Sequence, residues 1–273
     1  MAQQQETSPS PMVNPLRERL ARGEFVIGAT LMVPSVETAA QVAALGFDFL
    51  WVEMEHSPIT LETFRMIVLA TRGLPAMPFA RVPVAELWTA KRVLDSGALG
   101  VIFPFVNTPA LAETAAAACR YPPVGRRGSG AGLANFRWPV ANYYQFADEN
   151  VLCVAMIERP EAVEAAEVIA ATPGVDVLFI GVSDLSFALG LQGRQDEPRL
   201  QEAIAKVSAA AKKHGKYLGR PALDAESIQK YHAAGFQFFQ GPTDIDLLRV
   251  GARSLLTPSG RFRQPNSAKE VLY

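Results

Sequence analysis

Runs that are almost wholly apolar recur along the chain, separated by longer alanine-rich stretches. "FVIGATLMV" (25–33), "FDFLWVEM" (47–54), "MPFARVP" (77–83), "GVIFPFV" (100–106), "VLCVAMIE" (151–158), "VDVLFIG" (175–181), "YLGRPA" (217–222) and "FQFFQG" (236–241) read as strands. Apolar side chains on both faces are what a parallel strand needs when helices cover the sheet. The intervening segments carry a helical period: "VETAAQVAALG", "TLETFRMIVLATRG", "LWTAKRVLDSG", "TPALAETAAAACR", "RPEAVEAAEVIAATPG", "RLQEAIAKVSAAAKKHG", "DAESIQKYHAAG" and "TDIDLLRVGARSLL". Several close on Gly or His-Gly, the expected stop after a last turn.

Eight strand–helix units predict an α/β fold, a (β/α)8 TIM barrel. A doubly wound open sheet shows the same alternation. The barrel is preferred because eight is the closing number and no dinucleotide fingerprint is present; "GRRGSGAGL" has the wrong spacing and follows no strand. The pattern divides the chain into an N-terminal tail (1–14), a barrel domain (15–256) and a C-terminal tail (257–273). One segment breaks the regularity. Residues 121–148, between the fourth and fifth strands, form a long excursion whose Phe136, Trp138, Tyr143 and Tyr144 favour a packed, functional loop.

Composition narrows the function classes. A formal net charge of −1 argues against nucleic-acid binding through a general basic field. No apolar run is long enough to span a bilayer, and the polar, proline-bearing start lacks the features of a secretory signal. Cys119 and Cys153 form neither a metal spacing nor a disulfide framework, so both are expected to be buried packing residues in a cytoplasmic protein.

In such a barrel chemistry sits at the C-terminal ends of the strands. The second strand ends in Glu53, Glu55 and His56; the third gives Arg81; the fifth ends in Glu158; the sixth runs into Asp184; the seventh carries Arg220; the eighth ends in Gln240-Gly241-Pro242. Glu158 and Asp184 close neighbouring strands, and two carboxylates with open positions suit Mg²⁺ or Mn²⁺. Asp184 is equally readable as a helix cap, and His56 as a structural histidine. His214 and His232 fall in helical segments. None of the seven lysines sits at a strand's catalytic end, which argues against imine chemistry.

"FDFLWVEMEHSPIT", "FARVP", "VLDSGALGVIFPFVNT", "RYPPVGRRGSG", "MIERPEAV" and "GVDVLFIGVSDLS" occur in this order from about residue 15 to 256. In sequence and spacing the set resembles the HpcH/HpaI family of metal-dependent class II pyruvate aldolases, barrels of the phosphoenolpyruvate/pyruvate-binding type. The resemblance implies a carbon–carbon lyase that cleaves or forms 4-hydroxy-2-oxo acids, giving pyruvate and an aldehyde. It implies Glu158 and Asp184 as ligands of a divalent metal (Mg²⁺ or Mn²⁺, with Co²⁺ a third choice), His56 as acid/base paired with Asp95, and Arg81 beside the keto oxygen. Substrate contacts are implied for Arg81 and the segment Gly181, Ser183 and Asp184. A homohexamer, a trimer of dimers, is implied as well, its C-terminal helix packed on a neighbour. Two positions depart from the family's habit: Glu53-Met54 stands where Asp-Gly is common, and Met156 where Gln is common. Two further readings stay open, an enzyme resembling macrophomate synthase that decarboxylates oxaloacetate and uses the enolate in C–C bond formation, and a binding protein without turnover.

Overall fold

Each expected strand is present in the computed structural model, which describes residues 13–263. β1 (Val26–Leu31), β2 (Phe49–Glu53), β3 (Met77–Arg81), β4 (Gly100–Phe103), β5 (Leu152–Ile157), β6 (Val177–Ile180), β7 (Tyr217–Pro221) and β8 (Phe238–Thr243) pair in parallel and in chain order. β8 returns to β1 through Val26–Phe238 and Ile27–Phe239, closing a (β/α)8 barrel with a register irregularity between Gly28 and Thr30.

The interior is filled by a size contrast. Phe49, Phe79, Phe179 and Phe238 meet across the axis, with ring centroids 5.0 Å apart for Phe49–Phe79, 4.6 Å for Phe49–Phe238 and 6.4 Å for Phe179–Phe238. Glycines on the strands between them make the room. A Cβ on Gly100 would stand 2.2 Å from Phe79, one on Gly28 2.3 Å from Phe49, and one on Gly219 2.6 Å from Phe179. Trp51 lies on the mouth side of these rings, 5.0 Å from Phe179. Overpacking a filled layer costs about 1–3 kcal/mol. Gly100→Ala is therefore expected to lower the melting temperature by roughly 5 °C or more, at about 2–4 °C per kcal/mol for a domain of this size. An unchanged midpoint in differential scanning calorimetry would contradict this layer.

Outside, α2 (Val36–Ala43), α3 (Leu61–Ala70), α4 (Leu87–Asp95), α5 (Pro109–Ala118), the pair α8 (Pro160–Glu164) and α9 (Ala166–Ala171), α11 (Pro198–Lys213) and α12 (Ala225–Ala233) follow their strands. Their starts obey capping chemistry: Ser35, Thr60, Thr108 and Asp224 each accept from a first-turn amide. α10 (Val182–Ala188) follows β6, and α13 (Asp244–Leu256) follows β8, opened by a capping box between Thr243 and Asp246.

A helix absent from the sequence expectation, α1 (Pro15–Ala21), covers the N-terminal end of the barrel. Asn14, assigned to the tail, is buried and caps it, while its backbone N donates to Asn150 Oδ1 at 2.6 Å and its Nδ2 to the Asn150 carbonyl at 2.9 Å. Of the expected C-terminal tail, Thr257–Ser259 forms a 3-10 turn that continues α13, while residues 1–12 and 264–273 of the two tails lie outside the described residues.

The 121–148 excursion is packed through Trp138 and Tyr143, while Phe136 and Tyr144 are exposed, and it lies at the opposite end of the barrel from the strand C-termini. α5 runs antiparallel to the strands, so whatever follows it begins at the strands' N-terminal end. There the segment folds as α6 (Gly132–Arg137) and α7 (Tyr143–Asn150), and Trp138 Nε1 donates to the Gly97 carbonyl at 3.0 Å. Cys119 and Cys153 are buried free thiols.

Candidate active site

The turn after β2 is organised by one carboxylate. Glu53 is wholly buried, and its Oε1 accepts from the backbone amides of Glu55 (2.7 Å) and His56 (2.9 Å). Its Oε2 takes Trp51 Nε1 at 3.2 Å and Arg81 Nε at 2.5 Å. Ser57 Oγ donates to the Glu53 carbonyl, and Met54 N to the Arg81 carbonyl at 3.0 Å. Thus Glu53, the first acid of "EMEH", has four partners of its own and serves as the anchor that fixes Arg81 and folds the turn.

β-strand alternation carries Trp51, Glu53 and Arg81 to the barrel interior, and Met156 and Glu158 on β5 and its extension share that face. Arg81 is 3% exposed; Nη1 lies 4.0 Å from Met156 Sδ, and Nε also stands 3.3 Å from Glu55 Oε2. Glu158, 1% exposed, rests against Gly181, where a Cβ would fall 2.6 Å from its Cγ and Oε1. Glycine at 181 is thereby required to seat Glu158, by contact rather than by conformation. Glu158 Oε2 accepts from the Phe105 amide at 2.9 Å.

Burial pushes the Glu158 carboxyl up to about 7, helped by repulsion from Asp184 and Glu55, against the Phe105 amide and Arg81, which favour the charged form. Glu55 is raised by burial as well, and its Oε2 is sealed from solvent without a hydrogen-bond partner. Asp184, in the first turn of α10, is exposed toward the mouth; Ser183 beside it is half-buried. The first-turn amides of α10 lack intrahelical partners by construction.

Three carboxylates (Glu53, Glu55, Glu158) therefore gather near one guanidinium, Arg81, and the exposed Asp184 adds its charge beside Glu55 and Glu158. That excess of negative charge over a single guanidinium, together with a Glu55 oxygen that accepts no hydrogen bond, fits a divalent cation. Among the described residues no group of three or more His, Cys, Asp or Glu side chains could hold a metal by itself. Glu158 and Asp184 suit an ion that keeps several coordination positions for water and substrate, as Mg²⁺ and Mn²⁺ do.

His56 stands on the rim, about half exposed, with Nε2 3.7 Å from Glu55 Oε2. Asp95 does not join it. α4 descends from the mouth, so Asp95, its last residue, ends at the far end of the barrel, where Arg127 Nη2 donates to it at 3.1 Å. Within one chain the carboxylate beside His56 is Glu55, not Asp95. Arg220 also leaves the site. On β7 Gly219 takes the inward position, so Arg220 projects outward and stacks 3.5 Å over the Tyr231 ring. Of the six described lysines none approaches this cluster; Lys216, just before β7, donates to the Val175 carbonyl at 2.8 Å. Glu53 and Glu55 were visible in sequence only as a charged end to a strand, and their separate roles depend on where the turn aims each carboxylate.

A closed parallel barrel with its charged cluster at the strand C-termini defines a barrel enzyme with its chemistry at the usual face. Residues 29–250 match the HpcH/HpaI aldolase/citrate lyase family, and the chain belongs to that family, as a carbon–carbon lyase. It is 34% identical over 254 residues to the hydroxypyruvate/pyruvate aldolase of Paraburkholderia phytofirmans, covering 90% of this chain and 98% of that one. It is 35% identical over 243 residues to the 5-keto-4-deoxy-D-glucarate aldolase of Shigella dysenteriae, covering 89% and 95%. The crystal structure of an HpcH/HpaI aldolase/citrate lyase family protein from Burkholderia cenocepacia J2315 superposes with a TM-score of 0.84 at 34% identity, over 91% of this chain and 100% of that one. No helix among the described residues is long and apolar enough to cross a membrane.

Proposed function

We propose that this enzyme cleaves 4-hydroxy-2-oxo acids to pyruvate and an aldehyde, and runs the addition in reverse. The observation that carries the reading is the convergence of Arg81, Glu158 and Asp184 at the mouth with His56 on the rim above them. The hydroxypyruvate/pyruvate aldolase and the 5-keto-4-deoxy-D-glucarate aldolase that this chain resembles support the reading, each pairing aldolase activity with an oxo acid.

Glu158 and Asp184 are the residues that would hold a divalent cation, Mg²⁺ or Mn²⁺, which when bound supplies Lewis-acid stabilisation of charge developing on the keto oxygen. Arg81 presents its terminal nitrogens to the same oxygen, and because Glu53 anchors Nε, the guanidinium needs no reorganisation as charge develops. The first-turn amides of α10, around Ser183, are the donors we assign to the substrate carboxylate. His56 takes the C4 hydroxyl proton; as the C3–C4 bond breaks, its electrons pass to C3 and the keto oxygen, the aldehyde leaves, and a proton returned to C3 gives pyruvate. Glu55, beside His56, balances the imidazolium charge formed in between.

Excess chelator is expected to abolish turnover of a 4-hydroxy-2-oxo acid, and Mn²⁺ or Mg²⁺ to restore it. Exchange of pyruvate C3 protons in heavy water isolates the enolate-forming half. This exchange should fall at least about 100-fold in His56→Ala, consistent with the 10²–10⁴ range for general acid–base catalysis. Full turnover in chelator would end the reading.

The C-terminal helix supports assembly into a homo-oligomer. α13 buries only Asp244 against its own chain, while Leu248, Val250 and Leu255 are exposed. A second copy covering this face explains it, and a hexamer is the assembly we propose. Leu248→Glu with Leu255→Glu should shift the species in sedimentation velocity to smaller mass; a native monomer would refute the assignment.

A further inference from the structure

A second cavity, of about 370 Å³, opens at the end of the barrel opposite the mouth, beside the start of β3 and the turn before β4. Its volume lies within the range of small-ligand sites, about 300–1,000 Å³. Leu74, Met77, Leu99, Trp138 and Phe146 give it apolar walls, and two arginines, Arg72 and Arg137, line it. Among the described residues no Asp or Glu lines it, and neither arginine has a salt-bridge partner.

Arg137 is the telling residue. It is 5% exposed, with its guanidinium carbon 3.9 Å over the Trp138 ring. Nε is sealed from solvent with no hydrogen-bond partner, and Nη2 reaches only the Thr71 carbonyl, at a long 3.3 Å. Burial, with the like charge of Arg72 added, pushes this guanidinium down to about 10. Arg72, exposed at the rim, is held 4.9 Å over the Phe136 ring. Burying one cation and bringing a second beside it, with no anion for either, is costly unless a ligand supplies the anion. Stacking on indole offsets part of the cost and leaves the guanidinium with the long Thr71 contact as its one hydrogen bond among the described residues.

We infer that this cavity is a binding site for a small organic monocarboxylate whose apolar body lies against Trp138 and Phe146 while its carboxylate meets Arg137 and Arg72. A carboxylate matches the planar guanidinium fork, and the walls reward a body that is flat and apolar rather than polyhydroxylated. The site is separate from the catalytic mouth, since the phenylalanine layer fills the barrel between them.

Two indoles at opposite ends give the test its readout. In the full chain labelled with 5-fluorotryptophan, benzoate should move the Trp138 ¹⁹F resonance saturably at or below millimolar concentration and leave Trp51, beneath the mouth, in place. Benzamide, the neutral isostere, should bind at least about tenfold more weakly, and inorganic phosphate, lacking an apolar body, should not compete. Arg137→Gln should weaken benzoate at least about tenfold and Arg137→Lys should recover part of the loss. Arg72→Gln, an exposed change that leaves the core untouched, should weaken it several-fold. A Trp138 signal that does not saturate, benzamide binding as well as benzoate, or affinity unchanged in Arg72→Gln with Arg137→Gln would each overturn the site.

Discussion

Glu158→Gln is expected to cost at least three orders of magnitude in kcat while making the metal-free protein more heat-stable above pH 7. Both effects have one origin. The Glu158 carboxyl is raised from an ordinary 4.5 to about 7 because folding buries it beside other acids. A raised carboxyl contributes its stability fully below pH 4.5, where both folded and unfolded chains are protonated. That contribution is lost as pH climbs through 7, where the folded chain must carry the buried charge. At 1.36 kcal/mol per unit the loss is on the order of 3 kcal/mol. Glutamine keeps an oxygen for the Phe105 amide and carries no charge, so it should gain stability at pH 8 and little at pH 5. Melting curves at the two pH values in chelator check the sign; a variant less stable than the parent at pH 8 would contradict it. The same substitution removes one of two carboxylates assigned to the cation, hence the catalytic loss.

Arg81→Met should destabilise the fold by about 3–5 kcal/mol, the usual effect of stripping one partner from a buried ion pair. Glu53 would be left charged in the interior, with Trp51 Nε1 and two backbone amides as its remaining partners. Adding Glu53→Gln should restore most of that stability, because the amide still accepts from Glu55 N and His56 N. Activity should behave differently, falling at least about 100- to 1,000-fold in the single variant and staying low in the double, since the donor proposed for the keto oxygen is gone in both. Urea melts and pyruvate proton exchange on the same preparations separate the two effects. Recovery of activity in the double variant would show that Arg81 acts through stability alone.

The barrel was legible because its strands are buried on both faces, which leaves the sequence nearly free of polar residues until a strand ends. The same contrast exposed Arg81, Glu158 and Asp184: a charge closing an apolar run has few structural reasons to be there. Where the reading failed, direction was the missing quantity. Arg220 sits one residue beyond Gly219, and only the register settles which of the two faces inward. Asp95 ends a helix that runs away from the mouth, and residue spacing says nothing about which end of the barrel a helix end occupies. Glu53 looked like one of two acids at a strand end because its bonds to the amides of residues 55 and 56 arise from the turn's path, not from its neighbours' identities. α1 did have a readable signal, Asn14 followed by Pro15, the chemistry of a helix start.

The wall of phenylalanines beneath Trp51 has a kinetic consequence. It leaves the reaction chamber a dead end, with one doorway for arrivals and departures alike. On the proposed chemistry the oxo-acid fragment sits innermost, at the nearly buried Arg81, and the aldehyde nearer the half-exposed His56. The aldehyde must therefore depart before pyruvate, and in the reverse direction pyruvate must enter before the aldehyde.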